Sequence, residues 1–170
     1  MASQSFTDAI ALLKADHRKV EKLFADFEKA SSSSKKRELA HQVCVEIKIH
    51  TMIEEEIFYP ALRGKIEKST LDEAYVEHDG AKVLVNDIEA GGPDDDFYDA
   101  KVKVLSEEIK HHVKEEERPS EGMFAQARDA DVDLVALRDQ LLARKQELLA
   151  QAEAGKLPRA KPTAVQLEAA

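Results

Sequence analysis

His50 and Glu54 lie four residues apart, and so do His112 and Glu116. On a helix of about 3.6 residues per turn each pair stands on one face, so an imidazole and a carboxylate can reach one metal ion or a close pair of ions. Each pair is half a site. His17 and His78, on separate predicted helices, can supply the remaining donors. Imidazole with carboxylate suits iron, manganese or zinc, whereas a thiolate-rich set would select zinc more narrowly. If both glutamates bridge, four histidines and two glutamates fill about eight of about twelve positions around two octahedral ions. The positions left over suit an oxo or hydroxo bridge and exogenous ligands, which implies reactivity with a small molecule.

Five amphipathic segments are needed to position these groups. The first, Ser5 to Lys29, has a cap at Ser5 or Thr7 and a seam of Ile10, Leu13, His17, Val20, Phe24 and Phe27. From about residue 35 to 63 the seam reads Val43, Ile47, His50, Glu54, Ile57 and Ala61, with Pro60 and Gly64 at its frayed end. A third helix over about 71–90, capped by Ser69 or Thr70, carries Leu71, Ala74, His78, Ala81, Val85 and Ile88. After the loop Gly91–Asp96, a fourth carries Tyr98, Val102, Leu105, Ile109, His112 and Glu116. Pro119 predicts a break at Arg118–Gly122, with packing resumed by Met123 and Phe124. A fifth helix over about 133–152, with Leu134, Leu137, Leu141 and Leu148, can dock on the bundle or on a second copy, giving a homodimer.

The fold expected is all-α, an up-down-up-down four-helix bundle with an additional C-terminal helix. Residues 1–152 form the bundle and its docking helix, and residues 153–170, with Pro158, Pro162 and small residues, read as a flexible tail. At about 1.5 Å per residue, His17, His50, His78 and His112 come to roughly 16, 18, 12 and 9–15 Å along the bundle, so all four share one level within about two turns. Buried carboxylates and imidazoles without partners cost several kcal/mol each, and no inward Lys or Arg on these seams neutralises both glutamates. Cations between the helices resolve that conflict.

Composition narrows the function further. The 170 residues are 43% hydrophobic and 35% charged, with six Gly, five Pro and no Trp, which favours helices on short links and a Leu, Val, Ile and Ala core. Net charge is −9 and basic residues alternate with acidic ones, so the footprint of a nucleic-acid binder is missing. The apolar run Ala9–Leu13 is too short for a signal-peptide core or a membrane span. The single Cys44 excludes an internal disulfide, suits a reducing, cytoplasmic setting and reads as a small buried hydrophobe.

The pattern His, His-x-x-x-Glu, His, His-x-x-x-Glu, here His17, His50 with Glu54, His78 and His112 with Glu116, resembles the hemerythrin-like family in its HHE cation-binding branch. The Glu-Glu-x-x-Phe-Tyr-Pro continuation after His50 is similar too, and the resemblance covers about residues 8–127. It implies a non-haem di-iron centre that binds or turns over oxygen, peroxide or nitric oxide. The oxygen-carrying members have a second histidine one turn after the first on helix three, where this chain has Lys82, and close the site with His-x-x-x-x-Asp rather than His112-x-x-x-Glu116. One histidine fewer opens a metal position and shifts the expectation from reversible oxygen storage toward peroxide or nitric oxide chemistry. The interruption at Pro119–Gly122, where many relatives run into a Phe-Pro element, is a third difference.

Lys82 reads as a lysine at the seam edge reaching water, and Tyr59 as a packing aromatic whose phenol could approach the metals. Glu55 and Glu115 read as surface groups or as groups orienting histidines; His111 is turned about 100° off the seam and His41 lies on the surface. Two other functions compete. An iron- or oxygen-sensing or storage module would bind metal without turnover and be read by a partner. A ferritin-like oxidase would use the Glu-x-x-His pairs Glu38/His41 and Glu108/His111, whose helical faces are polar.

Overall fold

The computed structural model describes residues 5–167. In chain order the helices are α1 (Ala9–Lys29), α2 (Ser33–Ile53) with a π-helical turn (Glu54–Phe58) and the single-turn α3 (Tyr59–Leu62), α4 (Lys68–Ala90), α5 (Tyr98–Glu116), α6 (Met123–Asp129) and α7 (Leu134–Glu153). Helices α1, α2, α4 and α5 form the bundle, each against the next and α5 back against α1, as the seams require. Helix α1 starts later than its sequence suggests. Asp8, rather than Ser5 or Thr7, caps it by accepting the Ala11 N–H at 2.8 Å, placing a negative charge at the positive end of the helix.

Pro60 changes the end of α2. It offers no N–H to the carbonyl four residues back, and the chain responds with a wider turn in which the Tyr59 N–H bonds to the Glu54 carbonyl. In an unbroken α-helix residues 54 and 59 would stand about 140° apart. The π turn brings them toward one face. At the other interruption α5 stops at Glu116 and the chain turns through Ser120, whose φ is 69°, into α6. A Cβ at Gly122 would sit 2.6 Å from the carbonyl oxygens of Glu116 and Arg118, so this turn requires glycine.

Two apolar clusters fill the bundle. One gathers Ile10, Leu13, Ile53, Phe58, Leu62 and Phe124, the other Val20, Phe24, Val43, Val85, Val102 and Leu105. Each fully buried side chain of this kind contributes roughly 1.5–3 kcal/mol. His17, His50, His78, His112, Glu54 and Glu116 are all buried in the layer between the clusters.

Helix α7 lays Leu137, Leu141 and Leu148 against the bundle at α1 and α2, with Arg144 bonded to Glu56 at 2.7 Å and Lys145 to Asp16. That leucine face is covered by its own chain. The segment after α7, read from composition as a flexible tail, makes hydrogen bonds to α4. Asp79 on α4 accepts the backbone N–H groups of Thr163, Ala164 and Val165 at 2.7, 2.6 and 2.7 Å. Asn86 exchanges two further hydrogen bonds with the Ala160 backbone. Composition predicts mobility because the segment buries little of its own surface, but two polar side chains of α4 supply the partners its backbone lacks. Asp79→Ala should therefore release residues 160–167 without unfolding the bundle. Limited proteolysis should cut the tail at least several-fold faster with helical content unchanged; an equal cutting rate would show that Asp79 does not hold it.

Candidate metal centre

All six groups expected at the site converge. His17, His50, Glu54 and Glu116 each offer one donor atom within 4.8 Å of the others, and Glu54, His78 and His112 form a second such set. The four imidazoles point Nε2 inward. His17 and His50 bring these atoms to 3.2 Å, as do His78 and His112. Glu54 Oε2 lies 3.2 Å from both His50 Nε2 and His78 Nε2. Glu116 reaches His17 Nε2 with Oε2 at 3.3 Å and His112 Nε2 with Oε1 at 3.4 Å. Bonds of about 2.1 Å place adjacent donors of one ion about 3 Å apart, so these separations suit a shared cation.

Every outward nitrogen faces a carboxylate, and three of the four are hydrogen-bonded to it. His17 Nδ1 lies 2.7 Å from Glu117, His78 Nδ1 2.9 Å from Glu55, and His112 Nδ1 2.6 Å from Glu77. His50 Nδ1 faces Asp16 at 3.6 Å. Each of these carboxylates is the chain neighbour of an inward donor: Asp16 of His17, Glu55 of Glu54, Glu77 of His78 and Glu117 of Glu116. One step along a helix is a turn of about 100°, which aims the neighbour at the adjacent helix instead of the centre. Asp16 on α1 thus serves α2, Glu55 serves α4, Glu77 serves α5, and Glu117 returns to α1. The ring closes around the bundle, and its hydrogen bonds fix His17, His78 and His112 with Nε2 available to a metal, while His50 Nδ1 faces Asp16 with no hydrogen-bond partner among the described residues.

Tyr59 is the central group that spacing alone does not find. Its hydroxyl lies 2.9 Å from Glu116 Oε1, 3.2 Å from Glu54 Oε2 and 3.0 Å from His78 Nε2. The π turn that Pro60 imposes swings it there. Lys82 does not reach water. It is 5% exposed and bonds Glu55 at 2.7 Å, Asp79 at 3.2 Å and Thr163 at 3.2 Å, because the docked tail covers it. Thr163 also donates to Glu55 at 2.6 Å, so the tail touches the carboxylate that orients His78. Glu115 pairs with Arg118 at the surface, exposed His111 leans on Glu77 at 3.3 Å, and His41, Glu38 and Glu108 face solvent.

The electrostatics show strain between like and unlike charges. Burial disfavours the charged form of His50, but Glu54 and Asp16 outweigh it and push its pKa up to about 10. Burial is likewise overcome at His78 by Glu54 and Glu55, to about 9. His17 is raised against burial by Glu116 and Glu117. Glu54 is held well below the usual carboxylate range despite burial, by His50 and His78. Burial and the adjacent carboxylates hold the Tyr59 phenol well above its ordinary value. Without metal, protons on imidazoles supply the positive charge. Even so, Glu54 Oε1 and Glu116 Oε2 are buried with no hydrogen-bond partner among the described residues. A cation between the helices would answer this buried negative charge, so the donor set fits a metal, and because metal would have to displace protons from His50 and His78, affinity should fall as pH falls through their raised pKa values.

A four-helix bundle closed around such a layer defines a helical cation-binding domain. The sequence profile of the Hemerythrin HHE cation binding domain matches residues 8–127, and the chain belongs to that family. Its fold superposes with a TM-score of 0.71 on the crystal structure of a hemerythrin HHE cation binding domain-containing protein from Mycobacterium kansasii, at 21% identity, over 89% of this chain and 95% of that one. A curated protein of Nostoc sp. strain PCC 7120, named a DNA nickase, is 28% identical over 106 residues. The match takes in 62% of this chain but spans only 30% of the Nostoc protein, so that protein's activity does not carry over with the domain. No described helix is long and apolar enough to cross a membrane.

The ring makes a prediction separate from the inward donors. Glu77→Ala should weaken metal affinity about 10–100-fold by freeing His112 to rotate, while Glu77→Gln, still able to accept from Nδ1, should lose less. Competition against a chelator of known affinity measures this; equal affinities for all three proteins would remove Glu77 from the site.

Proposed function

We propose that the chain holds two non-haem iron ions, bridged by oxo or hydroxo, and binds or turns over a small oxidant: oxygen, peroxide or nitric oxide. His17, His50, His78 and His112 hold the ions with Glu54 and Glu116. The observation that carries this reading is the pair of donor sets sharing Glu54, with Glu116 spanning both and two carboxylate oxygens without a hydrogen-bond partner among the described residues. Four imidazole and four carboxylate donors leave about four of twelve octahedral positions to ligands from outside the protein. Iron, when bound, supplies the redox change and the open coordination positions that the side chains lack.

The chain's own residues set the conditions for that chemistry. The apolar clusters on either side exclude bulk water, and Phe124, stacked on His17 with ring centres 5.7 Å apart, covers one end. The orienting carboxylates fix the imidazoles before any ligand arrives. Tyr59 keeps its proton and donates it in a hydrogen bond to Glu116 Oε1 at 2.9 Å, holding that carboxylate in place beside the imidazoles.

A sensing or storage module without turnover is the second reading, and the contact from Thr163 through Glu55 to His78 favours it by linking the tail to the centre. Stopped-flow mixing of anaerobically iron-loaded protein with oxygen, peroxide and nitric oxide separates the two. The first reading expects a near-ultraviolet iron band that changes with at least one of them, and catalytic loss of that oxidant. Iron-loaded protein inert to all three would leave the second.

A further inference from the structure

Where α5 gives way to α6, a cleft of about 440 Å³ opens beside the start of α4. Glu67, Glu73, Glu77, Glu115 and Glu121 line it, together with Glu116. Glu67, Glu73 and Glu121 are exposed at its rim, whereas Glu116 is 2% exposed. Arg118 is the one basic residue among the lining residues, and it is taken up by Glu115 at 2.5 Å and Glu121 at 3.7 Å. The cleft is therefore strongly negative from its mouth to a side chain of the candidate centre. That side chain is also the one whose Oε2 has no hydrogen-bond partner among the described residues.

Other approaches are built differently. The two apolar clusters close the layer along the bundle axis. On the far side of α4 a cavity of about 260 Å³ beneath the tail touches Glu55 but none of the six inward donors, and Lys48, Lys82, Arg159 and Lys161 line it. A cation is repelled there. At the acidic cleft the same cation is concentrated, since a cleft lined by one sign of charge with low-dielectric walls can raise on-rates by about 10–10³.

We propose that the acidic cleft is the loading route for divalent cations, with Glu73 and Glu121 as the outer attracting groups and Glu116 as the first ligand an arriving ion meets. The proposal rests on the metal-binding reading above and assigns these residues a role in the rate of loading. The rim carboxylates do not touch the centre, so they set how fast an ion arrives and leaves, and the inward donors set how tightly it is held.

Anaerobic stopped-flow mixing of metal-free protein with cobalt(II), followed by its visible absorption, tests this. Glu73→Gln with Glu121→Gln should slow loading about tenfold and flatten its dependence on salt, and Glu73→Lys with Glu121→Lys should slow it further. The final amount bound should match the unaltered protein in both, and release to a chelator should slow by the same factor. Asp94→Asn with Asp96→Asn, which removes equal charge from a distant loop, should load at the original rate. Loading unchanged in the cleft variants, or slowed equally by the loop variant, would overturn the cleft's role. An unaltered protein that takes up neither cobalt nor iron would overturn the metal reading instead.

Discussion

Two carboxylates, Glu54 and Glu116, sit in the middle of an otherwise apolar bundle, each no more than 2% exposed. Removing an ionised carboxylate from water costs several kcal/mol unless positive charge and hydrogen bonds answer it. Hydrophobic burial does not account for the placement, since leucine at either position would suit the neighbouring clusters. What answers the carboxylates in the protein alone is a set of imidazoles with raised pKa values and one phenol, and two oxygens are still left over. The polar layer is a place where the bundle gives up packing energy, and its donor set suits a metal.

The remaining architecture follows from holding that layer rigidly. Side chains four apart on α2 and on α5 supply paired donors, and single histidines on α1 and α4 complete the set. The acidic residues beside His17, Glu54, His78 and Glu116 then each face an imidazole on the next helix, so rotating any one helix disturbs two histidines. The same arrangement ties the outer parts to the centre. Lys145 of α7 binds Asp16, Arg18 shares Glu117 with His17 at 2.6 Å, and Thr163 of the tail binds Glu55. Helix α7 and the tail thus support the groups that hold the histidines.

Helical periodicity made the bundle and the convergence of the six groups legible in the sequence, because burying an apolar stripe leaves few ways for four long helices to pack. Tyr59 was not legible as a central residue: a period of 3.6 assumes an unbroken helix, and Pro60 forces the wider turn that redirects it. Asp16, Glu77 and Glu117 lie off every seam, so the periodicity passes over them. The signal that could have found them is local, an acidic residue directly beside His17, His78 and Glu116, as Glu55 stands beside Glu54. Lys82 was misread because its cover comes from the segment after α7, whose hydrogen bonds to Asp79 and Asn86 composition does not reveal.

The most direct measurement is an anaerobic titration of the metal-free protein with ferrous ion, followed by calorimetric melting at each step. The account predicts binding that saturates at two ions per chain, with the melting temperature rising until that point because only the folded bundle assembles the donors. Absence of binding, saturation at one ion, or a melting temperature indifferent to the metal would contradict it.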